Sequence, residues 1–536
     1  MKFGILTLIS MTLALCQIIP TAQSANIAFF FGMSSYSHRV PAWPLAETLA
    51  DKGHKITFIS PYPAKNPNPK IFDYVPKGLK AWLDNLGDVF HVIEERKKKE
   101  FLAGFLNLPS FGVAVCDEIY KDEEYVNWVK SSKFDIVVLD ALANDCGYGM
   151  AYYWGAKVIL FDTTAPFVHF PEAHGTPDET SWIPSMQLFY PLEMSFSQRI
   201  TNALLPIFWY YNRKWTFFPQ LEAITKERLG IHNLPKFEEL ERNVSLVFTN
   251  SHYGEEFTRS LPPNVIPIGG IAYSEQRKPL PTEMSAFFDK GDGFIYFSFG
   301  SFANFFQLDK STQQVFIGAM QKLSHIQFLW KVDDTSLMKE FPNNNVFISK
   351  WMPQQDILAH PKIRAFITHS GLLGIQEAIY NSVPLISFPI FAEQDYNAER
   401  IHRREYGIRL EILNVTQAEL EKAIESVLTD DKYRKNMEKI SVMFRERPQK
   451  PLDTALWWTE FVIRHSQEDL AALRPLSVGQ SWWKRRQLDV WATVFASVLV
   501  CLWMCVYVIY LLVKCAYRIN ASTSSSSKPN RRKKVQ

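Results

Sequence analysis

The sequence predicts an α/β protein of two doubly wound domains, followed by one C-terminal membrane-spanning helix. Three observations predict it. Short apolar runs suited to buried parallel strands recur in both halves, several ending in Gly, Ser or Asp ahead of a helix-like segment. A polar stretch with two prolines and two glycines, residues 272–293, separates the two series. Residues 490–513 carry no charge, and at about 1.5 Å per residue they are long enough to cross a bilayer with some tilt. A chain of 536 residues with 47% hydrophobic content can bury two cores. A net charge of +3 points to no partner class, and with no basic block before the tail, no repeat and no nucleic-acid module in the sequence, nucleic acid is not expected as a partner.

In chain order, residues 1–24 read as a signal peptide: Lys2, a mostly apolar run, then small residues at Ala22 to Ser24. The first domain spans 25–271. Residues 25–31 form a strand, 32–37 a small-residue loop ahead of His38, 43–52 a helix closed by Gly53, and 55–60 the next strand. Strands follow at 134–139, ending at Asp140, and at 157–161, ending at Asp162. The aromatic-rich region 172–240 is predicted helical, and 244–250 and 265–268 are late strands. With Cys16 in the signal and Cys501, Cys505 and Cys515 in or beside the span, Cys116 and Cys146 remain and can pair, though spacing alone does not decide it. Asn243-Val244-Ser245 and Asn414-Val415-Thr416 match the glycosylation pattern.

Residues 272–293 are predicted as the interdomain linker and 294–466 as the second domain. It opens on the strand 294–299, ending in Gly300-Ser301, with a helix at 311–323 and strands at 327–332 and 346–349. The stretch from Trp351 to Gln394 then supplies a partner for each part of a nucleotide sugar. An apolar strand, 363–368, runs into His369-Ser370-Gly371 and a helix at 372–380, placing free N–H groups and a positive dipole end where a diphosphate can bind. His369 can donate to a phosphate oxygen, Glu377 can accept two vicinal ribose hydroxyls, and Trp351 offers a flat face to a base. Glu393 and Gln394 can hydrogen-bond sugar hydroxyls.

With Gln354, Gly374, Pro384 and Pro389 at their spacings, this stretch resembles the nucleotide-sugar signature of the UDP-glycosyltransferase family, and the resemblance extends from the His38 region to the C-terminal anchor. It implies a GT-B architecture, two Rossmann-like domains facing a cleft, with residues 452–465 crossing back onto the first domain. It implies UDP-sugar binding through Ser301, Trp351, Gln354, His369, Gly371, Glu377, Glu393 and Gln394. The segments SYSHRVPAW and FDIVVLDA resemble those holding the family's catalytic histidine and its partner acid. That makes His38 the expected general base and Asp140 its orienting carboxylate, with Asp145 as the rival. No D-x-D, HExxH or CxxC occurs, so neither a metal nor a cofactor is expected; the UDP-sugar is a co-substrate. Direct attack by the acceptor oxygen inverts the anomeric carbon. Apolar, aromatic residues in 102–112 and 166–218 suit a small lipophilic acceptor.

Two positions depart from the family: Leu373 stands where many members carry Asn, and Ser370 replaces a common glycine. Leu373 motivates the alternative of a membrane-anchored UDP-sugar-binding protein that has lost transfer. Glu393, where Asp is common, adds reach and negative charge at the sugar end, and the GLLG turn resembles arthropod members. Both favour UDP-glucose over UDP-glucuronic acid. Residues 467–489 form a membrane-proximal segment, 490–513 the span, and 514–536 a basic tail ending Lys533-Lys534-Val535-Gln536 that resembles a dilysine retrieval signal. The expected topology is type I in the endoplasmic reticulum membrane, catalytic domains luminal. Oligomerisation is left open.

Overall fold

A computed structural model describes residues 24–33, 35–86, 92–98, 101–288, 291–300 and 304–525, without the side chains of 101–104 and 523–525. Ser301, the signal peptide before Ser24 and the Lys533-Lys534 end lie outside the described residues.

Among the described residues the first half folds around a seven-stranded parallel sheet: β1 (Asn26–Phe30), β2 (Lys55–Ile59), β3 (Ile71–Tyr74), β4 (Ile136–Asp140), β5 (Lys157–Asp162), β6 (Leu246–Thr249) and β7 (Val265–Pro267), in the order 3-2-1-4-5-6-7. The second half repeats the plan with six parallel strands: β8 (Phe294–Ser298), β9 (Gln327–Lys331), β10 (Val346–Ser349), β11 (Ile363–Thr368), β12 (Leu385–Ser387) and β13 (Gly407–Arg409), in the order 10-9-8-11-12-13. The central strands are buried along their whole length, as IVVLD of β4 and FIYFS of β8 are, because helices cover both faces. In each sheet the strand order reverses once, between β1 and β4 and between β8 and β11. Such a reversal opens a crevice at the carboxyl ends of the strands.

Eight helices bear on function: α1 (Tyr36–Asp51), α2 (Phe170–His174), α3 (Phe196–Asn212), α4 (Thr282–Phe288), α5 (Leu372–Tyr380), α6 (Gln394–Arg403), α7 (Pro451–Arg464) and α8 (Leu488–Ser525). Three boundaries correct the sequence reading. α1 starts at Tyr36 and not at 43, so His38 stands in the first turn of a helix and not in a loop. Pro41 and Pro44 each remove a backbone bond and hide the helix from a sequence reading. The burial of Ala42, Leu45, Ala46 and Leu49 against the sheet holds it together regardless. The stretch 272–293 is not linker throughout: α4 lies within it, and Met284, Phe287 and Phe288 join the second domain's core beside Phe294 and Ile357. Edge strands β3 and β13 carry no apolar run for a sequence reading to catch.

α7 returns to the first domain. Its Ala455 and Val462 share a core cluster with Leu45 and Leu49 of α1, and Lys157 Nζ donates to the Val462 carbonyl at 2.8 Å. A disulfide joins Cys116 to Cys146, tying the helix Phe101–Lys121 to the helix Cys146–Trp154. The C-terminal helix α8 belongs to a separate compact unit, Gly479–Gln536. Its stretch Leu488–Ser522 is long and apolar enough to cross a membrane and outruns the predicted 490–513 at both ends.

Candidate active site

The first sheet's crevice presents His38. Its Nδ1 lies 3.1 and 3.3 Å from the two carboxylate oxygens of Asp140, the last residue of β4, and 2.8 Å from Thr163 Oγ, just past β5. Asp140 is 1% exposed and is itself held: Asn144 Nδ2 donates to Oδ2 at 3.1 Å, while Asn144 Oδ1 accepts from the Met33 amide at 2.7 Å. The rival Asp145 is engaged elsewhere, accepting from Arg213 Nη2 at 2.6 Å. Burial alone would push the His38 imidazole down. The Asp140 charge and hydrogen bond, with Glu393 from the second domain, raise it above its ordinary value.

A base must be neutral to act, so the raised value places the acid limb of kcat/KM above the ordinary imidazole pKa of about 6.5. Asp140→Asn removes the largest raising influence. Its acid limb is expected at lower pH than wild type, with reduced maximal rate; an unmoved limb in a pH–rate series would show that Asp140 does not set the His38 charge.

The second sheet's crevice holds the signature. His369 follows β11, and its ring is confined by two glycines. A Cβ on Gly300 would lie 2.7 Å from His369 Cε1, and one on Gly371 would lie 2.6 Å from Nε2. Gly300 also has φ +80°, so it is needed for conformation as well as space. Burial, then the Lys331 ammonium, pushes His369 down to about 4, so the ring is neutral at pH 7, and among the described residues its buried Nδ1 has no hydrogen-bond partner. Ser370 sits at φ +69°, which gives the physical reason a glycine is common there. Its carbonyl accepts from Asn397 Nδ2 at 2.9 Å, fastening the turn to α6. Leu373 stands half-exposed in the first turn of α5.

Glu377 on α5 is 8% exposed, and burial raises its carboxyl. It is gripped by Gln354 Nε2 at 2.6 Å and Gln355 Nε2 at 3.0 Å. Gln354 therefore orients Glu377 through this bond. Trp351, 60% exposed, lies in the loop between β10 and Gln354. Gln394 Oε1 accepts from the Ile390 and Phe391 amides at 2.9 and 3.1 Å and shapes the loop ahead of α6. Glu393 faces His38 closely enough that each shifts the other's proton affinity, which brings the two halves of the site together across the cleft.

Sequence reasoning missed Thr163 and Lys331. Each lies immediately past a strand or at its carboxyl end, and that placement was the one available signal; neither residue type announces itself. Lys331 Nζ donates to the Gly300 carbonyl at 2.8 Å, beside His369. Among the described residues, His169, His174 and Glu241 form the one group with metal-ligand types in reach of one another. Arg213 already donates to Glu241 at 2.8 Å and supplies a competing cation.

The family model for UDP-glucoronosyl and UDP-glucosyl transferase matches residues 36–524. The chain belongs to this family. Among its relatives, UDP-glucosyltransferase 2 of Dactylopius coccus is 30% identical over 485 residues, covering 88% of this chain and 90% of the relative. UDP-glucuronosyltransferase 1A7 of Mus musculus is 30% identical over 525 residues, covering 94% of each. Among solved structures, the kitacinnamycin glycotransferase aligns with TM-score 0.53 at 16% identity, covering 82% of this chain and 99% of its own. A UDP-glucosyltransferase from Polygonum tinctorium aligns with the same score and identity, covering 83% and 100%. At that identity the likeness is one of fold, and the fold is GT-B. As a UDP-glycosyltransferase, the chain is a hexosyltransferase.

Proposed function

We propose that this UDP-glycosyltransferase transfers glucose from UDP-glucose to a hydroxyl of a small lipophilic acceptor with inversion, His38 serving as general base. The observation that carries this reading is the His38–Asp140 contact at the first sheet's strand reversal, with Glu393 of the second domain close by. Asp140 and Thr163 hold Nδ1, which directs Nε2 at the acceptor proton. The proton passes to Nε2 as the acceptor oxygen bonds the anomeric carbon and the bond to UDP breaks. Charge gathers on the departing diphosphate. The neutral His369, the amides opening α5, Lys331 and, outside the described residues, Ser301 are the donors proposed to meet it. Trp351 stacks the uracil, Glu377 accepts from the ribose, and Glu393 with Gln394 holds the sugar. Gly371 keeps the turn close to the phosphate.

The preference for glucose is supported by charge. A glucuronate carboxylate near Glu393 needs a cation beside it. Arg259 donates to Glu256 and to the Tyr396 hydroxyl, and Arg199 is exposed on the outer side of α3. The acceptor class is supported by the cavity that Ala165, Phe167, Val168, Ile183 and Met186 line. In competition between equal UDP-glucose and UDP-glucuronic acid for one phenol, the glucoside is expected to dominate by mass. A dominant glucuronide would overturn the donor choice alone. UDP binding with no product from either donor would favour the binding-protein reading that Leu373 motivates. We further place the enzyme in the endoplasmic reticulum membrane as type I, α8 anchoring it. The disulfide fits an oxidising lumen, and Asn243 and Asn414 are both exposed for glycosylation there.

A further inference from the structure

We propose that Arg96, contributed by the first domain, is a positioning residue for the donor sugar: it fixes the loop of the second domain that leads into Glu393 and Gln394. This rests on the reading of that pair as the sugar's partners. In sequence Arg96 belongs to the first domain, in the helix Val92–Lys98 between β3 and β4. In space the helix docks on the second, where Val92 and Ile93 join the core cluster of Phe297, Ile390 and Ile412. Arg96 is 5% exposed, and its guanidinium is fully engaged there. Nη1 donates to Asp395 Oδ2 at 2.8 Å and to the Ile390 carbonyl at 3.3 Å. Nη2 donates to Asp395 Oδ1 at 3.2 Å and to Glu411 Oε2 at 2.6 Å, and Nε donates to Glu411 Oε1 at 2.8 Å. Two forked pairs on one planar group fix an angle as well as a distance, which an ammonium cannot do.

These contacts bracket the sugar loop. Ile390 stands at its start, and Asp395 directly follows Gln394. Between them Ala392 has φ +54°, a left-handed conformation that a residue with a Cβ keeps when its surroundings impose it. Gln394 imposes part of it from within, by accepting from the Ile390 and Phe391 amides. Arg96 closes the loop from outside. Glu393 leaves this loop to face His38, so a shift of the loop moves the sugar's partner against the base.

Removing Arg96 strands neither carboxylate. Asp395 keeps Arg409 Nη2 at 2.7 Å, and the Glu411 side chain is 43% exposed, so water can take the place of its partner. The contribution of Arg96 is therefore to geometry more than to folding. Its helix also touches the next one, Phe101–Lys121, whose Leu108 and Pro109 line a cavity with Ala141 and Leu142, next in the chain to Asp140. One residue thus ties the sugar loop to the acceptor side of the site.

The test compares wild type, Arg96→Met and Arg96→Lys, each as the full chain in detergent. The measurements are melting temperature, UDP affinity by calorimetry, and kcat and KM for UDP-glucose and UDP-glucuronic acid with one phenol. In both variants kcat/KM for the donor that wild type uses is expected to fall by roughly 10²-fold, the scale of about 1 Å of misplacement. UDP affinity is expected to hold, because Trp351, Glu377 and His369 lie on other elements. Arg96→Lys keeps the charge, so it should recover most of any melting temperature lost in Arg96→Met, but not the rate. If Arg96→Met fails to fold, Arg96→Lys carries the comparison. A wild-type rate in Arg96→Lys would overturn the proposal and assign Arg96 to charge balance. So would a parallel loss of UDP affinity, the mark of general damage to the second domain. If wild type prefers UDP-glucuronic acid, the donor reading falls and the same comparison is read with that donor. If wild type binds UDP but transfers from neither donor, the transfer reading falls instead, and calorimetry with UDP-glucose decides: weaker binding in Arg96→Lys beside unchanged UDP binding supports the positioning role, and equal binding overturns it.

Discussion

His38→Ala is expected to lower transfer to an alcohol acceptor by roughly 10²–10⁴-fold, the scale of a lost general base, with UDP binding retained. The geometry makes the loss specific. Nδ1 is occupied by Asp140 and Thr163, so Nε2 is the ring nitrogen left without a protein partner among the described residues. Among the described residues no other base replaces it: Asp140 is 1% exposed and is engaged with Nδ1. Glu393 reaches the same region, but its carboxyl is the one proposed to hold the sugar. The proposed UDP contacts, Trp351, Glu377 and His369, lie on the other sheet and the substitution does not touch them. An acidic phenol enters partly ionised and should suffer less than an alcohol, so the ratio between the two acceptors is the sharper reading. Near-normal turnover of the alcohol would remove His38 from the role of base, while calorimetry with UDP checks that the nucleotide site is intact.

The parts of this site that were legible in the sequence are those whose chemistry is local. The strand Ile363–Thr368 and helix Leu372–Tyr380 fall where the apolar run and the Gly371 turn put them, because a parallel strand buried on both faces is apolar over most of its length, here all but the exposed Arg364 and the terminal Thr368. His38 and Asp140 were legible as candidates through resemblance. Their contact was not, since it joins residues 102 apart and depends on β1 and β4 being neighbours in the sheet. The choice between Asp140 and Asp145 turned on a partner the sequence does not display: Arg213 takes Asp145 from 68 residues away. Thr163 and Lys331 were invisible for the same reason. The linker misreading has another cause. Met284, Phe287 and Phe288 form a single short buried face, too brief for periodicity to outweigh the prolines and glycines around it.

Arg400→Met is expected to be the most destabilising single change at the domain interface, by about 3–5 kcal/mol, the range for breaking a buried ion pair from one side. Arg400, on α6 of the second domain, is 1% exposed. Its Nη1 lies 2.5 Å from Glu255 Oε1 and 3.3 Å from Glu256 Oε2 in the first domain, and it donates to the Glu255 carbonyl at 2.9 Å. Glu256 would keep other partners, the Arg259 guanidinium and the Tyr396 hydroxyl. Glu255 would keep only the more distant charge of Arg404: both its carboxylate oxygens are buried, and Arg400 is the cation in ion-pair contact with them. Burial already raises the Glu255 carboxyl, and Arg400 is the main group that lowers it; in the variant it rises further above the unfolded value of about 4.3 and protonates to stay buried. A group raised on folding contributes stability below its unfolded pKa and loses it as pH climbs through the folded one. The melting deficit of full-length Arg400→Met in detergent should thus be smaller near pH 5 than near pH 8. Adding Glu255→Gln removes the titrating group, so the double variant should recover much of the loss and show a deficit that no longer varies with pH. A single variant that melts within about 1 kcal/mol of wild type at both pH values would mean that water, and not Arg400, compensates Glu255.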